Sequence, residues 1–142
     1  MRLKLQKHDY EVEPEIKPLV EAMNKTGVIR TVGSCHGHWN GSAPYVYFKA
    51  PIGIAAAMEK LLRVTDEREI FRFAWDITAM FDMNHQLIFR LSSQNFQEKL
   101  YSFQNMLLFW RFRKHLDEEL WMLALIFNEM LFVRIDGAEY HE

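Results

Sequence analysis

Phe71-Arg72-Phe73-Ala74-Trp75-Asp76-Ile77-Thr78-Ala79-Met80-Phe81 alternates along its whole length. Phe71, Phe73, Trp75, Ile77, Ala79 and Phe81 fall on one side, and Arg72, Asp76 and Thr78 on the other. A period of two is that of a strand with one face buried. Asp82 to Gln86 then reads as a turn, and Leu87, Phe89 and Leu91 resume the alternation as the returning strand of a hairpin.

On the C-terminal side of the hairpin the period changes at Ser92-Ser93. Phe96, Leu100, Phe103, Leu107 and Trp110 form one helical stripe, and Leu116, Leu120, Leu123, Phe127 and Met130 form another. No Gly or Pro separates them, so 95–131 reads as one helix or two, with a break expected near Lys114 to Asp117 and a mobile tail after Phe132. On the N-terminal side, Ile54, Ala57, Met58, Leu61 and Leu62 predict a helix, with Pro51 to Gly53 closing a strand from Tyr45 to Lys49. Trp39 to Ala43 reads as a loop and the β-branched run Val28 to Val32 as a strand. Ile16, Leu19, Val20 and Met23 predict a first helix, with Pro14 in its opening turn and Gly27 as its stop. Residues 2–8 are expected to add an edge strand.

This order gives an α/β (α+β) fold: a small antiparallel or mixed sheet, helices on one face, and a helical C-terminal segment. At 142 residues the chain, 1–142, is read as a single domain with a substantial core. Apolar residues make up 49% and aromatic residues 14%, which excludes a disordered chain. The formal charge of -2 provides no global field toward nucleic acid or anionic membrane. One cysteine cannot form an internal disulfide. With no signal-peptide core after Met1 and no run long enough to span a membrane, a cytoplasmic protein without membrane contact is expected.

Chemistry concentrates in Gly33-Ser34-Cys35-His36-Gly37-His38. Three uses compete with simple packing of Cys35. As a metal site, Cys35, His36 and His38 are residues that bind zinc, with His85 or His115 as a fourth ligand. The paired spacing of structural zinc knuckles is missing, so the sequence favours no metal. As a catalytic site, Cys35 would be the nucleophile and His36, His38 or a distant histidine its base. As an anion site, Gly33, Ser34 and Gly37 would offer backbone N–H groups and a hydroxyl, flanked by Arg30 and Lys49.

Asn24, Thr31 and Ser34-Cys35-x-Gly37, following an amphipathic helix and preceding an aromatic strand, resemble the wybutosine-synthesising tRNA methyltransferase family. The resemblance covers roughly residues 16–62 by this motif comparison. Gly33 and His36 stand where that family has Ser, and His38 where it has Arg. The resemblance implies a shared α/β scaffold and, as an activity, methyl transfer from S-adenosylmethionine to an RNA base. The Ser-Cys-x-Gly-His turn followed by Pro44-Tyr45-Val46-Tyr47-Phe48 is also similar to small uncharacterised bacterial and mobile-element proteins. Together these readings suggest an anionic or nucleotide-like ligand at residues 33–38. The alternatives are an accessory protein acting through protein partners, and a metal-binding module.

Arg111, Arg113, Lys114 and His115 lie beside Phe109, Trp110 and Phe112, as in a nucleic-acid contact. Asp117, Glu118 and Glu119 follow at once, so the cluster reads better as a helix end. His115 and Glu119, four apart, suit a surface pair. Met80, Met83, Met106, Met122 and Met130 read as core or interface packing. Met106, Leu108, Phe109 and Phe112 lie off the first stripe, which makes that segment apolar on more than one side and predicts a homodimer through the C-terminal helices.

Overall fold

The computed structural model describes residues 11–37, 43–96 and 109–139, with the side chains of the last segment from 113 to 129. Its elements are α1 (Lys17–Lys25), β1 (Arg30–Cys35), β2 (Tyr45–Lys49), α2 (Ile52–Glu67), β3 (Trp75–Phe81), β4 (Leu87–Ser93) and α3 (Phe109–Glu139). The strands form one sheet in the order β1-β2-β4-β3, and every pairing is antiparallel. The fold is α+β, as the hairpin and the flanking helical stripes predict. The expected edge strand at residues 2–8 lies outside the described residues.

Register decides which side chains meet the helices. Val46 pairs with Leu91 and Phe48 with Phe89, while Leu91 continues to Ile77 on β3. Val46, Phe48, Phe89, Leu91 and Trp75 are buried in one cluster with Leu19, Val20 and Met23 of α1, Ala55, Met58 and Leu62 of α2, and Leu116, Leu120, Leu123 and Phe127 of α3. Burying each such side chain stabilises the fold by about 1.5–3 kcal/mol before chain entropy is counted.

Several boundaries differ from the sequence reading. The alternation from Phe71 begins four residues before the strand itself. Phe71 and Phe73 are buried, but the Phe73 N–H donates to Glu119 Oε1 at 3.1 Å and the Ala74 N–H to Asn95 Oδ1 at 2.8 Å. Those donors go to side chains instead of a sheet ladder. At the other end the apolar face outruns the helices: Phe81 is 71% and Met83 96% exposed, so Met83 is not part of the core among the described residues. Helix α1 opens at Lys17 with Pro18 in its first turn, and Pro14 lies in the turn before it. Gly27, at φ +75°, stops α1 as expected.

β1 starts at Arg30 and runs through Gly33, Ser34 and Cys35, which the sequence reading placed in a turn. A bulge between Thr31 and Gly33 interrupts its register with β2. Thr31 pairs with Phe48 and Ser34 with Val46, on the core face, while Gly33 and Cys35 pair with Tyr47 and Tyr45.

α3 has no break at Lys114 to Asp117, and it continues past Phe132 to Glu139 where a mobile tail is expected. The stripe Leu116, Leu120, Leu123 and Phe127 is buried along the unbroken helix, while Glu118 is exposed and Glu119 is buried with donors from Phe73 and Trp75. The 31 residues span about 46 Å. Leu100, Phe103, Met106, Leu107 and Leu108 lie outside the described residues, as do the side chains of Phe109, Trp110, Arg111, Phe112 and Met130. Among the described residues, no helix is long and apolar enough to cross a membrane.

Candidate metal centre

α1 and β1 form a helix–strand hairpin, so the chain just before α1 meets the chain just after β1. The Glu13 carbonyl accepts the N–H groups of Ile16 at 3.2 Å and Lys17 at 3.1 Å, turning the chain into the helix. Glu13 and Glu15 leave this turn toward His36. His36 Nδ1 is in contact with the Glu13 carboxylate and lies 3.9 Å from Glu15 Oε2. One ligand atom from each of Glu13, Glu15 and His36 lies within 4.8 Å of the others. His36 and Glu13 are half-buried, and Glu15 is exposed.

α3 closes the group from the other side. Arg113 Nη1 donates to the His36 carbonyl at 3.1 Å, and Arg113 Nη2 lies 4.0 Å from Asp117 Oδ1. Burial raises the Asp117 carboxyl above its usual range; the Arg113 guanidinium opposes this, and the Glu15 charge adds to it. Three carboxylates, Glu13, Glu15 and Asp117, thus surround one imidazole and one guanidinium. The excess charge here is negative.

Among the described turn residues, Cys35 and His36 make separate contacts. Cys35 is buried, and its Sγ accepts the Gly37 N–H at 3.4 Å; Gly37 takes φ +93°. The thiol belongs to the Tyr45 side of the sheet, whereas His36 meets Glu13 and Glu15. Ser34 Oγ is enclosed and has no hydrogen-bond partner among the described residues. His38 lies outside the described residues. Arg30 and Lys49 pair with each other at the opposite end of the β1–β2 ladder from Cys35 and Tyr45. Lys49 is also engaged there, donating to Gln86 Oε1 at 2.7 Å and lying 3.7 Å from Asp82. His85, at φ +58°, is in the same distant hairpin turn. His115 lies 3.7 Å from Glu118 and does not pair with Glu119.

The sequence reading missed Glu13 and Glu15 as partners of His36. The available signal was weak: two glutamates flanking Pro14, 21 and more residues upstream of the histidine. Glu119 was missed as a buried group. Its Oε1 accepts from Phe73 N–H and, at 3.3 Å, from Trp75 Nε1, which ties α3 to the start of β3.

No family model, curated protein or solved structure matches this chain.

Proposed function

We propose that the protein is a divalent-cation-binding module whose ligands are Glu13, Glu15 and His36. The single observation that carries this reading is the convergence of two carboxylates and one imidazole within 4.8 Å. Two carboxylate oxygens and an imidazole nitrogen suit manganese, iron, cobalt or zinc, because carboxylates favour harder ions and imidazole the later transition metals. Three protein ligands leave coordination positions open. A doubly charged cation also balances the surplus of carboxylates around His36. Arg113 holds the His36 main chain and so restricts where the ring is presented.

The anionic, nucleotide-like ligand expected near this turn would, on this reading, bind through the cation. Bare backbone N–H groups beside Glu13 and Glu15 would meet an anion in a negative field. Open positions on a bound ion reverse that sign.

The test is titration of chelator-treated protein with MnCl2, CoCl2 and ZnCl2, followed by calorimetry and thermal denaturation. The expected result is one ion per chain and a higher Tm, both lost in His36→Ala and weakened at least about tenfold in Glu15→Gln. His115→Ala, outside the cluster, should bind as wild type does. Absence of binding by all three ions, or binding unchanged in His36→Ala, would overturn the proposal.

A further inference from the structure

One face of α3 points away from everything described in the fold. Leu116, Leu120, Leu123 and Phe127 are buried on one side of the helix. At 3.6 residues per turn, Lys114, Glu118, Trp121, Leu125, Asn128 and Glu129 share a stripe roughly 100° wide on the opposite side. All six are exposed, with Trp121 at 56% and Leu125 at 47%. Two large apolar side chains one turn apart, centred between a cation and an anion, form a seam without a partner among the described residues.

The order of charges along this seam identifies an occupant. Lys114 lies seven residues before Trp121, and Glu129 lies eight after it. A twofold axis beside Trp121 therefore sets Lys114 of one helix level with Glu129 of an antiparallel copy, twice over by symmetry. The same axis stacks Trp121 near its own symmetry mate and lays Leu125 beside the aliphatic stem of Glu118. A parallel pairing would instead set Lys114 against Lys114 and Glu129 against Glu129. From Lys114 to Glu129 the seam runs about 22 Å, four turns of contact for each helix.

We propose that α3 is a self-association surface, on which two copies of this chain pair antiparallel through Trp121 and Leu125 with Lys114–Glu129 bridges at either end. This goes beyond cation binding, which uses a different face of the molecule, and the two can fail independently.

The experiment is light scattering on the full chain at micromolar concentration, with circular dichroism as a check on folding. Wild type is expected at twice 17.0 kDa. Leu125→Glu should keep its helical spectrum and raise the dissociation constant by at least about tenfold, because it buries an unpaired charge. Lys114→Glu should weaken the dimer about fivefold, and adding Glu129→Lys to it should restore wild-type affinity, since the exposed pairs are re-formed with reversed sign. A monomer at 17.0 kDa would overturn the proposal and leave the stripe to a different protein. A dimer indifferent to Leu125→Glu would place the interface elsewhere. Failure of the double charge swap to restore affinity would overturn the antiparallel register.

Discussion

Asn24 and Thr31 hold each other by two hydrogen bonds across the α1–β1 connection. Asn24 Nδ2 donates to Thr31 Oγ1 at 2.8 Å, and the Thr31 N–H donates to Asn24 Oδ1 at 3.0 Å. Asn24 Nδ2 also donates to the Val20 carbonyl at 3.0 Å. The amide thus fixes the last turn of α1 to the first residues of β1. Because the two elements run back along each other, the same clamp sets the far ends where Glu13, Glu15 and His36 meet.

Removing the clamp leaves the Thr31 N–H without its partner. Asn24→Ala is expected to destabilise the protein by about 2 kcal/mol in urea denaturation. Asn24→Asp keeps acceptors for both the N–H and the hydroxyl of Thr31 and gives up only the donor to Val20. It should lose about half as much. Equal losses in the two variants would show that the Thr31 bonds contribute nothing.

Gly27 offers a separate measure of the same connection. It sits at φ +75°, and a Cβ added there would meet nothing within 4 Å. Gly27→Ala therefore tests backbone strain without a clash. The expected cost is about 1 kcal/mol, read as a lower Tm. A neutral substitution would mean that the loop relaxes into an ordinary conformation.

Glu119 should give the protein a pH dependence with an unusual sign. Burial raises its carboxyl above the ordinary glutamate range; bonds from Phe73 N–H and Trp75 Nε1, and the Arg72 charge, oppose that rise without cancelling it. The folded protein therefore holds this proton at pH values where the unfolded chain has lost it. The stabilisation linked to the proton is complete below the unfolded value and is lost as pH rises through the folded value. Glu119→Gln should abolish that decline, so denaturation curves of the two proteins should diverge as pH increases. Glu119→Ala strands two buried donors and should cost about 3 kcal/mol at low pH, the gap to wild type narrowing as pH rises and the proton-linked stabilisation is lost.

Asp82 works in the opposite direction. Its Oδ1 accepts the Gln86 N–H at 2.9 Å and the Asn84 N–H at 2.8 Å, and Lys49 lies beside it. The Gln86 bond chiefly, then the Asn84 bond and the Lys49 charge, hold its carboxyl below the usual range. This contribution is present above the unfolded value and is lost as pH falls through the folded one. Asp82→Asn should flatten the acid limb of the stability profile. A profile unchanged on that limb would remove Asp82 as a source of acid sensitivity.

Periodicity was the part of the fold written into the sequence. Alternation from Trp75 to Leu91 specifies a hairpin with one buried face, because a strand turns successive side chains to opposite sides whatever surrounds it. The spacing of Leu116, Leu120, Leu123 and Phe127 specifies the buried side of α3 for the same local reason. The sequence also pointed to His36, through its crowding with glycine and cysteine, although not to the residues it meets.

The rest depended on distances that no local pattern contains. Glu13 and Glu15 reach His36 only because α1 and β1 fold back on each other, a relation fixed by Asn24, Thr31 and the core between the elements. Cys35 and His36, adjacent in the chain, part company because successive side chains of a strand point to opposite sides, and the bulge between Thr31 and Gly33 sets which residues of β1 share the core face. Glu119 looks like a surface partner for His115 from its spacing of four. It is instead buried because Phe73 and Trp75, 46 and 44 residues away, present donors where α3 crosses them. Periodicity acts through neighbouring residues and is legible in the chain, whereas the pairing of charges and donors is settled by packing between elements distant in sequence.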